Sequence, residues 1–152
     1  MISNPDPARH FAHQHAQLDA LLQTHLLELM GGDFARAEQA FSRWRAELVA
    51  HIAIEERELL PHLPAQARWA AKVYLAEHER IALLAREHAA RLTQVLANPP
   101  EPGMAQRRAA LWLIDAVHPL RHVLEHHHQR EEGTLALELA QDLQARAWSA
   151  HG

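Results

Sequence analysis

The chain is expected to be all-α, an antiparallel up-down-up-down four-helix bundle, on three observations. Apolar residues recur at helical spacing along four long stretches. No segment alternates apolar and polar residues between turn signals, so no strand is expected. The connections are short, and short connections place consecutive helices antiparallel. At 152 residues the chain has enough length to bury a core in one domain, read here as spanning residues 1–152.

The first helix opens at Asp6-Pro7, an N-cap residue followed by proline at the first helical position, and Phe11, Leu18, Leu22, Leu26 and Leu29 continue it. Gly31-Gly32 stops it. Asp33 caps a second helix whose face Phe41, Trp44, Leu48, His51, Glu55, Leu59 runs to Pro61 and Pro64. The third extends from about Gln66 to Ala97 and carries Tyr74, His78, Ile81, Ala85, Leu92 and Val95 on one side. Asn98-Pro99-Pro100-Glu101-Pro102-Gly103 is a loop. The fourth pattern runs from about Met104 to Ala147, with a kink expected at Pro119 and a break at Gly133 that leaves Leu135 to Trp148 as a short C-terminal helix.

Composition removes several function classes. No apolar run approaches the roughly 20 residues of a membrane span, and Met1-Ile2-Ser3-Asn4-Pro5 starts no signal peptide, so a soluble cytoplasmic protein is expected. The net charge is −4 and Arg is dispersed among Glu, which argues against nucleic acid. With no Cys there are no disulfides and no thiolate metal sites, so any metal must be held by nitrogen and oxygen. The outlier is His, with 14 copies, the commonest metal ligand. Eight or nine of these are expected to be solvated surface residues.

Two copies of one pattern organise the rest: His51-Ile-Ala-Ile-Glu55-Glu56 and His127-His-Gln-Arg-Glu131-Glu132. Residues four apart are neighbours on a helix, so each copy aims an imidazole and a carboxylate at one point. The repeat is wider than these pairs. Phe11, His15, Leu18 and His25 match Tyr74, His78, Ile81 and His88 at identical spacings, while Leu48, His51, Glu55, Glu56 and Leu59 match Leu124, His127, Glu131, Glu132 and Leu135. The bundle therefore reads as two related helix pairs, each supplying one lone His and one His-Glu pair.

Helical phase selects the inward groups. His127 continues the stripe Leu113, Val117, Leu120, Leu124, whereas His126 and His128 read as solvated flanks. His126 stays the alternative ligand on this helix, because it lies five before Glu131. Burying two carboxylates and four imidazoles without compensation costs several kcal/mol of solvation per charged group, and a pair of dications supplies that compensation. Imidazole with carboxylate in a bundle interior suits iron or manganese, while structural zinc prefers a closed shell containing thiolates. Six ligands fit two metals, with Glu55 and Glu131 bridging, two His on each ion, a solvent-derived bridge and one open position.

The order His15, His51-x-x-x-Glu55, His78, His127-x-x-x-Glu131 resembles the hemerythrin-like (HHE cation-binding) domain family over nearly the whole chain. His15-Ala-Gln-Leu-Asp-Ala-Leu-Leu and His51-Ile-Ala-Ile-Glu-Glu-Arg-Glu-Leu-Leu-Pro are similar to that family's first- and second-helix signatures. The resemblance implies a non-haem, oxo- or hydroxo-bridged diiron centre that binds or responds to oxygen, peroxide or nitric oxide, with iron ahead of manganese and zinc. It implies a small diatomic or peroxide ligand and leaves any protein partner unspecified. A diiron enzyme for peroxide or nitric oxide reduction, or for iron–sulfur cluster repair, is the first alternative; iron storage or a structural bundle is the second. The family's oxygen carriers place a further His four residues after His78, where this chain has Ala82, which lowers reversible carriage. Its repair members carry an N-terminal cysteine pair that this chain lacks.

Helical arithmetic also nominates groups around the ligands. Tyr74 lies one turn before His78, either as a core aromatic or as a hydrogen-bond donor to a ligand. Asp19 lies one turn after His15 and Glu58 beside Glu55, each placed to orient an imidazole or to form a surface ion pair. His25 and His88 lie too far along their helices to join. His118, His122 and Glu125, with Glu125-x-x-His128, form a second cluster that reads as an adventitious surface site.

Overall fold

Asp6 ends up doing the capping its sequence suggests, but the helix it caps starts at Arg9 and not at Pro7. Its carboxylate accepts from the Ala8 N–H (2.9 Å) and its carbonyl from the Arg9 N–H (3.1 Å), satisfying donors that a helix start leaves orphaned. The computed structural model describes residues 6–149 and 151; Met1–Pro5, read above for a leader, lies outside them.

Every regular element among the described residues is helical. Four long helices, α1 (Arg9–Met30), α2 (Phe34–Ile54), α3 (Ala71–Ala97) and α4 (Met104–Arg130), are followed by a short α5 (Gln141–Ser149). Contacts close a ring, α1 on α2, α2 on α3, α3 on α4 and α4 back on α1. None of these helices is long and apolar enough to cross a membrane.

The turn between α1 and α2 requires Gly32, whose φ of 75° is left-handed and whose missing Cβ makes room for the Gln106 side chain. Gln106 in turn donates from Nε2 to the Gly32 carbonyl (2.9 Å). Asp33 caps α2 by accepting from the Arg36 N–H (3.0 Å), a contact worth about 1 kcal/mol.

Three expectations about the helices need correction. The third helix begins at Ala71, because residues 64–70 are held in turns: Ala67 N–H donates to Pro64 O (3.0 Å) and Arg68 N–H to Glu138 (2.8 Å). Pro119 does not interrupt α4, which runs as one element to Arg130 while Val117 and Leu120 on either side are buried in the core. Gly133 does not break the chain's helical path either. It lies inside a π-helical turn, Glu131–Leu135, followed by a single turn at Ala136–Glu138 before α5.

A matching π-helical turn, Glu55–Leu59, ends α2. The two turns start at the two carboxylates that the sequence repeat pairs, so the repeat extends to backbone conformation. π turns of this kind recur at functional sites because they re-aim side chains.

The core is split. One apolar cluster contains Leu18, Leu48, Ile81 and Leu124; a second contains Phe11, Ile54, Tyr74, Leu135 and Trp148. On every long helix the central His falls between a member of one cluster and a member of the other. The polar layer is therefore sandwiched between two dry ones.

Candidate metal centre

Each α-helix delivers its His from the stripe that packs the core, and the π turns deliver the carboxylates. His15 (α1), His51 (α2), His78 (α3), His127 (α4), Glu55 and Glu131 are all buried, at 3% exposure or less. They form two sets of four: His15, His51, Glu55 and Glu131, and Glu55, His78, His127 and Glu131. Within each set the donor atoms all lie within 4.8 Å of one another, and both carboxylates belong to both sets.

The alignment of these atoms is as informative as their proximity. His51 Nε2 and Glu55 Oε1 are 2.6 Å apart, yet neither makes a hydrogen bond, and Glu131 Oε2 is likewise unpartnered 3.2 Å from His127 Nε2. Buried polar atoms left unpaired are costly, by about 1–3 kcal/mol each. His15 Nε2 and His78 Nε2 do bond the same two carboxylates, Glu131 (2.9 Å) and Glu55 (2.8 Å), so all the inward atoms converge on one region and only some of them are satisfied there. A cation there would satisfy them, so the nitrogen and oxygen donors fit a metal ion.

The outward nitrogens explain why the inner ones are available. His15 donates from Nδ1 to Glu132 (2.8 Å), His78 from Nδ1 to Glu56 (3.1 Å) and His127 from Nδ1 to Glu77 (3.1 Å). A carboxylate on Nδ1 turns Nε2 inward, the arrangement that orients metal-binding imidazoles, and in the metal-free chain Nε2 of His15 and His78 bonds the central carboxylates from there. Arg130 secures Glu77 from the other side (3.2 Å) and lies over the Trp69 ring at 4.5 Å. His51 is the exception. Its Nδ1 has no partner among the described residues, and its ring stacks instead on Trp148, centroids 4.7 Å apart.

Charge follows from the same contacts. Burial opposes a proton on His78 and His127, but the carboxylates beside them prevail, Glu131 and Glu55 for His78 and Glu131 and Glu77 for His127, raising each pKa to about 10. His15 is raised in the same way by Glu131 and Glu132 against its own burial. Burial pushes Glu131 upward, but the adjacent His127 charge first, and then its close contacts including the His15 bond, hold it well below the usual carboxylate range. Glu77 is lowered too, its burial outweighed by His127 and Arg130.

The groups nominated around the ligands fare unevenly. Tyr74 is fully buried and its hydroxyl has no partner among the described residues; burial, reinforced by Glu138 and Glu131, pushes the phenol far above its usual value, so it keeps its proton. Asp19 touches no ligand and reaches only to 3.9 Å from His128 Nδ1, because its side chain projects into solvent. Glu58 is exposed and orients nothing: the π turn aims Glu56 inward instead. Glu56, Glu77 and Glu132 were missed because each serves an imidazole on a different helix, which arithmetic within one helix does not reveal. The signal was nonetheless present in the doubled Glu-Glu of the repeated pattern and in Glu77 beside His78.

His126 is exposed on α4, as its phase requires. His128 is not solvated: it is 8% exposed and stacks flat on His15, with centroids 3.8 Å apart and planes 9° apart. The buried face of α4 is wide enough where α1 packs on it to enclose a residue one turn past Leu124. Burial, then the neighbouring His15, lowers the His128 pKa to about 2, so the ring is neutral.

His25 and His88 are also buried, which brings the buried histidines to seven and leaves fewer on the surface than expected. They stay apart from the six-residue centre and pair with each other. His25 donates from Nδ1 to Ala37 O (2.6 Å), and His88 donates from Nε2 to His25 Nε2 (2.9 Å). Ala82, one turn beyond His78, is exposed and offers no ligand. His118, His122 and Glu125 are exposed, and Glu125 and His128 diverge, one outward and one inward.

Compared with known proteins, the chain matches no family model, no curated protein and no solved structure.

Proposed function

We propose that the chain is a hemerythrin-like protein that holds two non-haem iron ions and binds or responds to dioxygen, peroxide or nitric oxide. The observation that carries this reading is the pair of four-donor sets sharing Glu55 and Glu131. Two shared carboxylates with two imidazoles on each side provide for two ions side by side, with His15 and His51 on one and His78 and His127 on the other. Nitrogen and oxygen donors without thiolate favour iron or manganese over structural zinc. Residues early in α1 and α3 meet residues at the ends of α2 and α4, which supports the antiparallel up-down-up-down arrangement.

Bound there, a pair of iron ions supplies one-electron redox chemistry and a position for a small ligand. The chain's own residues do the remainder. Glu132, Glu56 and Glu77 keep a proton on Nδ1 of three imidazoles and so keep Nε2 inward. The two apolar clusters exclude water above and below the layer. Tyr74 retains a hydroxyl proton that has no acceptor among the described residues. Exposed Ala82 leaves the set one imidazole short of the oxygen carriers, which favours sensing or redox reactivity over reversible carriage.

Metal analysis of aerobically purified protein should give about two irons per chain. Visible spectra should then respond to azide, peroxide or nitric oxide. Stoichiometric zinc, or no bound metal after reconstitution with iron(II), would sink the proposal.

A further inference from the structure

The offset that pairs His15 with His78 also pairs Phe11 with Tyr74, each one turn before its imidazole. Both rings are fully buried in the apolar cluster that holds Leu59 and Leu135, the last residues of the two π turns. Phe11 shows that a bare phenyl ring meets the packing needs of this position. Tyr74 adds a hydroxyl to it, buried and without a hydrogen-bond partner among the described residues. Such a group has given up water for nothing, so it weakens the metal-free fold where Phe would not. Its use lies outside packing.

The surroundings of the hydroxyl point to that use. Glu131, Leu135 and Glu138 follow one another at spacings of four and three along the helical path that passes the ring. After burial, Glu138 and then Glu131 are the strongest influences on the phenol, yet neither accepts a hydrogen bond from it. Glu138 is engaged instead by the Arg68 N–H (2.8 Å). Glu131 is one of the two carboxylates common to both donor sets. The phenol therefore stands beside the polar layer in the half formed by α3 and α4, the helices that supply His78 and His127.

From this we infer that Tyr74 donates a hydrogen bond to the small ligand of the centre and selects peroxide or a small anion, whose free end accepts one. It is an inference that rests on the diiron reading and deepens it, by placing the ligand at the position between α3 and α4. A phenol keeps its proton at neutral pH and has one hydrogen to give. Inside a dry core a hydrogen bond is stronger than in water, and a donor already fixed in place needs no reorganisation to form it. Phe11 gives the other half no such donor.

Azide binding to iron-loaded full-length protein tests this role, with thermal unfolding of the metal-free protein as a second readout. Tyr74→Phe should weaken azide binding about ten-fold. The infrared stretch of bound azide should shift in deuterium oxide for wild type and stay in place for Tyr74→Phe. Metal-free Tyr74→Phe should melt no lower than wild type, and up to about 4 °C higher. If wild-type protein takes up no iron, the diiron reading itself fails and this role falls with it. If wild type fills with iron but binds no azide, or Tyr74→Phe binds azide as tightly as wild type, the role is overturned while the centre stands. A bound-azide stretch in wild type that ignores deuterium oxide overturns it too. So does a metal-free Tyr74→Phe that melts several degrees lower, because the hydroxyl then serves the fold.

Discussion

Loading the centre with metal should expel protons, and their number follows from the geometry. In protein stripped of metal, His78 and His127 have pKa values of about 10, raised by Glu131, Glu55 and Glu77 against the cost of burial. Both are therefore charged at pH 7, and Glu131, held well below its usual range, already lacks its proton. A metal ion needs the imidazole lone pairs, so at least two protons must leave per chain. Removing each at pH 7 costs about 4 kcal/mol, three pH units at 1.36 kcal/mol each. The pair together penalises loading by about 8 kcal/mol at pH 7, and the overall affinity for filling both positions should rise about 100-fold per pH unit toward pH 10.

Calorimetric titration in two buffers of different ionisation heat measures the proton count directly. At least two protons per chain are expected at pH 7. Release of fewer than one, or an affinity flat between pH 6 and 8, would refute the argument that protonated imidazoles stand in for the metal. The stability of stripped protein supplies the complementary check. Because these folded pKa values lie above the unfolded value of 6.5, the two ion pairs stabilise fully below pH 6.5 and their contribution drains away as pH rises toward 10.

Glu131→Gln should remove bound metal almost entirely, since Glu131 belongs to both donor sets, whereas His126→Ala should leave the metal content unchanged by elemental analysis. Glu77→Gln should weaken one of the two metal positions by about 10–100-fold in a titration that resolves them, leaving the other near wild type. Acid should destabilise the bundle through a different pair: His88, with its pKa lowered to about 3 by burial and then by His25 and Arg91, favours folding only while neutral. Its folded value lies below the unfolded 6.5, so stability falls as pH drops beneath 6.5, by about 2 kcal/mol at pH 5; His88→Leu should flatten denaturant midpoints over that range, and an unchanged slope would count against the buried-pair account.

How much of this was legible before the fold was known depends on the range over which each residue acts. The six central residues were legible because each sits on the core stripe of its own helix, and periodicity reports such a stripe. Pro119 does not end α4, because the loss of one local donor is outweighed by the burial of Val117 and Leu120 on either side, a tertiary effect. Of the two roles open to Asp19 and Glu58 the orienting one falls to Glu56, Glu77 and Glu132 instead, which single-helix arithmetic does not reveal because outer carboxylates work between helices. His128 was hidden likewise, since only the packing of α1 on α4 encloses it.

The repeat also promised more symmetry than the chain delivers, and the difference has chemical content. The offset that pairs His15 with His78 also pairs Gln14 with Glu77 and Phe11 with Tyr74. Around His78 and His127 the outer groups are therefore a carboxylate, a guanidinium and a phenol. Around His15 and His51 they are the Glu132 carboxylate, a buried amide, a phenyl ring and the Trp148 indole, and among the described residues His51 lacks the Nδ1 partner that the other three imidazoles have. A carboxylate on Nδ1 raises the basicity of a ligating imidazole. The half bearing Glu77 thus offers two such supported imidazoles and the half bearing Gln14 only one. Two positions that the sequence makes look equivalent should therefore differ in pH dependence: the one between α3 and α4 has the more basic imidazoles, whose protons oppose a metal at pH 7, and it should gain the most affinity as pH rises toward 10.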